Sequence, residues 1–228
     1  MAKGHLTQMI VKAPRALSPC RCLRAGRHCA PDTTPIESQM SKPTADTLAA
    51  AAKAAKGKGL PPIHLWNPAF CGDIDMRIAR DGTWFYLGTP IGRAPLVKLF
   101  SSILKLEDGK YYLVTPVEKV GITVDDAPLL AVDFDATGSG PDQSLTFTTK
   151  TDDITIAGPD HPIRVERAKN GEPSPYVLIR SNLWALIDRK SFYRLVELGC
   201  HADHHGDSWF GLWSGGQFFP VIPSSELP

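Results

Sequence analysis

Two arginines precede predicted helices, and both their type and their position suit the binding of an anion. Arg93 lies just before the apolar pattern of APLVKLF, and Arg180 lies just before LWALI. A helix N-terminus carries free N–H groups and about half a positive charge, and an arginine beside it can bind carboxylate or phosphate. The pair therefore predicts a site for an anionic group, shared if the two segments face each other. The alternative is that each arginine pairs with a nearby acid or caps a strand end.

Two further cations are candidates for the same ligand-binding site. Lys119 follows the aromatic strand YYLVTPV, and its neighbour Glu118 points to the opposite face of that strand. Arg189 lies two turns after Asn182 on the second predicted helix. Lys119 would add positive potential to the anion site. The alternatives are a solvated Glu118–Lys119 pair and an exposed charge on the helix.

The densest set of potential metal ligands is CHADHHGD, residues 200–207. His201 and His205 are four residues apart and could hold Zn²⁺ from one helical turn, with Asp203, Asp207 or Cys200 as a further ligand. The glycines at both ends of this segment instead predict a loop between a helix and a strand. Histidines in such loops commonly bind metals weakly without a functional role.

Two pairs of aspartates alternate along predicted strands, Asp73 with Asp75 and Asp133 with Asp135. Carboxylates on one strand face can hold Mg²⁺ or share a proton, but they more commonly occupy the wet face of a sheet. The sequence has no P-loop, no glycine-rich dinucleotide motif, no nucleophile elbow and no H-E-x-x-H motif. No motif identifies a cofactor, and the missing signatures weigh against an enzyme without excluding one.

Charge and hydropathy indicate which kinds of molecule this protein is expected to bind. The chain has 228 residues and a formal net charge of +1, but ten Lys or Arg and only three acids lie in residues 1–60. The remainder is acidic, with 15 basic and 21 acidic residues, which argues against nucleic-acid binding. No apolar run approaches the roughly 20 residues of a membrane span, so a soluble protein without a membrane partner is expected. Five scattered cysteines give no disulfide framework, which favours the cytoplasm.

The first 59 residues are predicted to be a disordered basic extension. They are rich in proline and arginine, and Met40 is a second candidate start of the protein. The segment TADTLAAAAKAAKGKG has helical propensity but almost no large apolar residue with which to dock. We therefore expect the folded body to begin near Leu60.

The rest of the chain predicts a mixture of strands and two helices. A hairpin with its turn at Asp81-Gly82 is expected, followed by an amphipathic helix over APLVKLFSSILKL. The second helix is expected over LWALIDRKSFYRLVEL, with Ser181 and Asn182 as N-caps. The Gly- and Ser-rich segment ATGSGPDQS is the best internal boundary. The predicted strands are KYYLVTP, VGITV, LAVDF, SLTFTT, DITIA, PIRVERA, YVLIR and SWFGLW.

The order of these elements indicates an internal repeat. Aromatic strand, connector, helix, turn and aromatic strand occur at residues 84–115 and again at 176–213. This predicts an α+β fold of two related halves, residues 60–135 and 136–228, built from a duplicated strand–helix–strand motif.

Several segments identify a family. The stretch from CGDIDMRIARDGTWFYLGTPIGR through YYLVTPVEK and DDAP, with RSNLWALIDRK and GLWSGGQFFP downstream, resembles the proteobacterial domain-of-unknown-function family 1285. The resemblance covers about residues 60–223. It implies a duplicated α+β motif whose C-terminal half is loosely pleckstrin-homology-like. It also implies a nucleotide-like ligand between the halves and a role in signalling.

Together these features predict a cytoplasmic regulatory or ligand-binding module for an anionic small molecule. Arg93, Lys119, Arg180 and Arg189 are its expected ligand-binding residues. The alternatives are a metal-assisted hydrolase that uses the histidine-rich segment and a protein–protein adaptor with an apolar patch at FFPVIP.

Overall fold

Alternation of apolar and polar residues accounts for most of the regular structure. In the strand Ser144–Thr149, for example, Leu145, Phe147 and Thr149 are buried and the residues between them are half-buried. The computed structural model describes residues 43–55, 59–167 and 171–227. Within those ranges the fold is mostly β-structure, with fifteen strands and three α-helices.

The first sheet contains six strands. They are β1 (Phe70–Ile78), β2 (Trp84–Tyr86), β3 (Thr89–Pro90), β4 (Leu104–Glu107), β5 (Lys110–Val114) and β6 (Lys119–Val124). Their spatial order is β3-β2-β1-β6-β5-β4, and β1 and β6 form the parallel pair at the centre. The other neighbours are antiparallel.

The second sheet contains the next six strands. They are β7 (Leu129–Thr137), β8 (Ser144–Thr149), β9 (Ile154–Ile156), β10 (Ile163–Arg167), β11 (Pro173–Arg180) and β12 (Leu183–Ile187). Their order is β10-β11-β12-β7-β8-β9, with β7 and β12 parallel at the centre. In both sheets, therefore, the first and last of six consecutive strands pair in parallel and an antiparallel meander continues on each side.

A smaller antiparallel sheet and the helices complete the fold. The third sheet has the order β13 (Cys200–His204), β14 (Asp207–Ser214) and β15 (Gln217–Pro223). The helices are α1 (Ala45–Ala55), α2 (Ala94–Ser102) and α3 (Arg189–Glu197). None of the described helices is long and apolar enough to cross a membrane.

One apolar core joins these layers. Leu48 of α1, Trp84 of β2, Phe100 of α2, Phe147 of β8 and Leu195 of α3 all belong to a single buried cluster. The Trp84 and Phe100 rings stack with centroids 6.2 Å apart. The predicted boundary between residues 135 and 136 falls inside β7.

Both predicted helices were too long. The first helix ends at Ser102 with Ile103 as its C-cap, and the residues LKL that were assigned to it begin β4. LWALI, assigned to the second helix, is β12, and α3 begins only at Arg189. Short apolar runs fit a buried strand as well as a helix, so periodicity alone could not separate the two.

The N-cap prediction for the second helix was wrong for a local reason. Ser181 has a φ of 50°, which belongs to a turn and not to the extended backbone of an N-cap. Asp188 has that extended backbone, and its carboxylate accepts a 2.8 Å hydrogen bond from the Ser191 N–H. The helix therefore starts where an aspartate can satisfy its free N–H groups.

Two segments predicted as irregular belong to hairpins. ATGSGPDQS connects the paired strands β7 and β8, so it is a turn within one sheet. Gly138 has a φ of +74°, and a Cβ there would lie 2.3 Å from the Asp142 carbonyl oxygen. CHADHHGD forms β13 and its turn into β14.

The folded body starts earlier than Leu60. In α1, Leu48 and Ala52 are fully buried, and Thr44 and Thr47 exchange hydrogen bonds that cap its first turn. The small alanine side chains allow close packing, so a single leucine anchors the helix. The predicted extension therefore does not hold for Ala45–Ala55, whereas its residues 1–42, with Met40, lie outside the described residues.

Truncating the anchor of α1 tests whether this helix belongs to the cooperative fold. We expect Leu48→Ala to lower the free energy of unfolding by about 2–5 kcal/mol, because it leaves a cavity in the core. The exposed substitution Ala50→Ser should change it by less than about 0.5 kcal/mol. Urea denaturation measures both. Equal, small effects would mean that α1 is not part of the folded body.

Candidate functional site

A largely buried ion pair lies between α2 and the second sheet. The guanidinium of Arg180 pairs with the carboxylate of Asp153 and donates 2.7 Å and 3.2 Å hydrogen bonds to the Ser101 carbonyl and hydroxyl oxygens. Thr151 donates a 2.8 Å hydrogen bond to the other Asp153 oxygen, and Thr149 accepts one of 3.0 Å from the Asp153 N–H. Both side chains of the pair are only 16% exposed. The arrangement satisfies two charges that burial would otherwise penalise.

A cavity of about 500 Å³ adjoins this pair and is named here the Arg180 cavity. It is lined by Gly59, Leu60, Lys98, Ser101, Ser102, Thr151, Asp152, Asp153, Ile154, Ile179 and Arg180. At its rim, Lys98 and Asp152 form a 2.9 Å ion pair whose side chains are 53% and 73% exposed. The cavity thus holds two cations, two carboxylates and an aliphatic wall.

Arg93 and Arg180 do not share a site. Arg93 is the N-cap residue of α2, as expected, and its side chain is exposed with no hydrogen bond or ion pair to a described residue. Arg180 ends β11 and contacts Ser101 in the last turn of α2. The two arginines therefore lie at opposite ends of one helix. For Arg180, the alternative of a paired arginine at a strand end is the arrangement observed.

Lys119 is also engaged in an ion pair. Its ammonium lies 2.9 Å from Glu107, which also binds Lys105 at 2.6 Å, and it stands 5.0 Å from the Tyr112 ring centroid. Hydrogen bonds from the two lysines lower the pKa of Glu107. Lys119 thus belongs to a charge cluster on the first sheet and lines neither the Arg180 cavity nor the Tyr193 cavity described next.

Arg189 lines a cavity of about 710 Å³, named here the Tyr193 cavity. The lining residues are Arg80, Asp81, Leu130, Glu172, Pro173, Ser174, Pro175, Leu186, Ile187, Asp188, Arg189, Phe192 and Tyr193. Arg189 Nε donates a 3.0 Å hydrogen bond to the Tyr193 hydroxyl oxygen. That bond, with the nearby charge of Glu172 as a lesser cause, raises the pKa of Arg189.

Arg80 brings a second guanidinium to the Tyr193 cavity from the turn between β1 and β2. Its Nη2 donates a 2.8 Å hydrogen bond to Ser174, and its Nε lies 3.2 Å from Asp126. Asp126 in turn accepts a 2.7 Å hydrogen bond from the Tyr176 hydroxyl. Burial, with this bond as the second cause, raises the pKa of Tyr176 to about 12. Arg80 is therefore held at the cavity by Ser174 of the second sheet and by Asp126 of the β6–β7 connection.

The predicted metal ligands do not converge. His201 Nδ1 lies 2.8 Å from the Ser224 hydroxyl, and an Asp203 oxygen accepts a 3.2 Å hydrogen bond from the Gly206 N–H. His205, with a φ of 59°, is in the hairpin turn and not on a helix. Across the described part of the chain, no three His, Cys, Asp or Glu side chains are grouped so as to hold a metal ion.

Sequence reasoning missed Arg80, Tyr193 and Asp153. Arg80 precedes the predicted Asp81-Gly82 turn, where a cation is expected to be exposed, and nothing local shows that the turn reaches β11. Tyr193 was correctly placed in a helix. Because the predicted helix started too early, the face on which Tyr193 lies could not be read from the sequence. Asp153 did leave a signal, because the hydroxyls of Thr149 and Thr151 in TKTDD are typical of turns that enclose a carboxylate.

Removing one partner of the buried pair should be costly. We expect Arg180→Met to lower the free energy of unfolding by about 3–5 kcal/mol, because Asp153 would stay buried and unpaired. Lys98→Met breaks an exposed pair on the same cavity and should cost less than about 1 kcal/mol. Chemical denaturation compares them. Similar costs for the two variants would contradict the structural role of the Arg180–Asp153 pair.

Two glutamates should respond to pH in opposite directions. Burial raises the pKa of Glu118, whose carboxylate has no hydrogen bond or ion pair with a described residue, while Lys105 and Lys119 lower the pKa of Glu107. A raised pKa favours the folded state at low pH, and this advantage is lost as pH rises through the folded-state pKa; a lowered pKa has the reverse effect. Glu118→Gln should therefore be more stable than the unsubstituted protein at pH 7, and Glu107→Gln less stable.

The measurement is the free energy of unfolding at pH 7 and again below about pH 4, where free glutamate is protonated. Both differences from the unsubstituted protein should shrink at the lower pH. A Glu118→Gln protein that is less stable at pH 7 would show that the carboxylate has a stabilising partner.

The comparisons with known proteins agree on one family. The N-terminal domain of the domain of unknown function DUF1285 matches residues 61–127, and the C-terminal domain of the protein of unknown function DUF1285 matches residues 128–221. The curated proteins include no match.

Two crystal structures of DUF1285 family proteins are similar to the chain. The one from Silicibacter pomeroyi is 60% identical with a TM-score of 0.73, covering 78% of this chain and 96% of that one. The one from Shewanella baltica is 35% identical with a TM-score of 0.43, covering 54% of this chain and 90% of that one. The family models and the Silicibacter structure together establish that the chain belongs to the DUF1285 family.

Proposed function

We propose that this protein is a binding module for a small planar molecule with an anionic group, of the nucleotide class, held in the Tyr193 cavity. The observation that carries the proposal is that Arg80, Arg189 and Tyr193 line the same cavity. Arg80 comes from the region matched by the N-terminal family model, and Arg189 and Tyr193 come from the C-terminal one. The ligand would therefore lie between the two regions.

The properties of the cavity suit this class of ligand. Its volume is within the range of small-molecule sites, and its wall is largely apolar. The Tyr193 ring is at the rim and the residue is 57% exposed, so a base could stack on it. Guanidinium groups are suited to carboxylate and phosphate because their N–H donors form a planar fork.

Three carboxylates, those of Asp81, Glu172 and Asp188, also line the cavity, and two of them accept hydrogen bonds from backbone N–H groups. The Asp188 carboxylate caps α3 through the Ser191 N–H. The Asp81 carboxylate accepts a 2.9 Å hydrogen bond from the Thr83 N–H, and the charge of Lys150 contributes to its lowered pKa. These contacts reduce the repulsion that an anion would meet at the cavity.

The same proposal includes the finer expectations from the sequence. The shared strand order of the two six-stranded sheets supports an origin by duplication, although it relates β1–β6 to β7–β12 and not residues 84–115 to 176–213. The pleckstrin-like character of the C-terminal half, a role in signal transduction and a cytoplasmic location rest on the family resemblance alone. None of them is needed for ligand binding.

Neither alternative has an observation in its favour. The hydrolase required converging metal ligands, which the described residues do not supply. The adaptor required an apolar patch at FFPVIP, but this segment is β15, with Phe218 and Phe219 buried and the rest half-buried.

A thermal-shift titration of the full chain with ATP, GTP, AMP and inorganic phosphate tests the proposal. A ligand at about 100 times its dissociation constant adds roughly 2.7 kcal/mol and should raise the Tm by about 5–10 °C. The double variant Arg80→Ala/Arg189→Ala should lose this shift while its unfolding stays cooperative. Tyr193→Ala should weaken the binding of the nucleotides more than the binding of phosphate.

Arg93→Ala is the matched control, because it removes an exposed arginine at a different cavity. It should leave the affinity unchanged. A loss of binding in Arg93→Ala, with binding retained in the double variant, would move the site to the start of α2. The absence of a shift with all four compounds would overturn the proposed function.

A further inference from the structure

The Arg180 cavity is lined by charged side chains of both signs. Two cations, Lys98 and Arg180, are balanced by two carboxylates, Asp152 and Asp153. A ligand that carries both charges would meet a partner for each.

The two ion pairs of this cavity differ in how readily they can open. Arg180 and Asp153 are both buried and each has further hydrogen bonds, so separating them would expose two unsatisfied charges. Lys98 and Asp152 share a single contact in solvent, and such pairs contribute little to stability. The rim pair is therefore the one that can separate and accept a ligand.

The wall beside the rim is aliphatic and uncovered. Ile154 is 70% exposed and Leu60 is 59% exposed, and both line the cavity together with the buried Ile179. Covering such side chains with an aliphatic group is favourable because it removes apolar surface from water. The volume of about 500 Å³ leaves room for a small molecule.

We infer that the Arg180 cavity is a second binding site, for an α-amino acid with an aliphatic side chain. Its carboxylate pairs with Lys98 and its ammonium group pairs with Asp152, while its side chain packs on Leu60 and Ile154. The buried Arg180–Asp153 pair stays closed and supports the floor. This site shares no lining residue with the Tyr193 cavity, so the inference is independent of the proposed function.

Calorimetric titration of the full chain at pH 7 with L-leucine, L-leucinamide and N-acetyl-L-leucine tests the inference. Leucinamide lacks the carboxylate and N-acetyl-leucine lacks the ammonium group, and both keep the side chain. Leucine should bind saturably, and each blocked analogue should bind at least about tenfold more weakly because one charge-assisted contact is lost.

Two variants test which protein residue binds the carboxylate and which binds the ammonium group of leucine. In Lys98→Gln, leucine should bind no better than leucinamide, and in Asp152→Asn it should bind no better than N-acetyl-leucine. Both substitutions break only an exposed pair, so the fold is retained. Lys105→Gln, which removes a lysine from the ion pair with Glu107 on the first sheet, is the matched control and should bind leucine normally.

Three results would overturn the inference. One is the absence of saturable leucine binding. Another is equal binding of leucine and both analogues, which would indicate an apolar surface without charge recognition. The third is unchanged discrimination in both rim variants, which would place the binding elsewhere.

Discussion

The buried Arg180–Asp153 pair constrains how α2 meets the second sheet. A charge removed from water is tolerated only when its partners satisfy it fully, and here each partner comes from a different element. Arg180 ends β11, Asp153 lies in the turn before β9, and Ser101 is in the last turn of α2. Displacing any of these three elements would leave a buried charge without its hydrogen bonds. The geometry of the adjoining cavity follows from this requirement.

The arginines differ in how much of the side chain is exposed to solvent. This exposure decides whether the guanidinium is available to a ligand. Arg180 has its hydrogen-bonding groups occupied by Asp153 and Ser101, so it serves the fold. Arg80 is 60% exposed, and Arg189 is exposed with only its Nε in a hydrogen bond to Tyr193, so both can exchange solvent for a ligand. A sequence shows the residue type in each case but not how much of the guanidinium remains available.

Local patterns predicted local structure well and long-range structure poorly. The hairpin at Asp81-Gly82, most strands and the start of α2 at Ala94 followed from alternation, turn residues and Pro95. The central parallel pairs β1–β6 and β7–β12 join residues some 50 positions apart, and no local signal encodes them. The second helix was predicted to start at Leu183, just after Arg180, but it starts at Arg189. Arg180 is therefore not at a helix start, and it is not equivalent to Arg93.

Each cavity lies beside a helix that has no equivalent in the strand order of the other sheet. Both sheets have the same strand order, but α2 connects the third and fourth strands of the first sheet, whereas α3 follows the sixth strand of the second. The Arg180 cavity lies where α2 meets the β8–β9 turn, and the Tyr193 cavity lies where α3 meets the β1–β2 turn. In each case the cavity is lined by the helix that accompanies one sheet and by a hairpin turn of the other. Because a regular sheet offers few concave surfaces, these unmatched helices create the places where a small molecule can be enclosed.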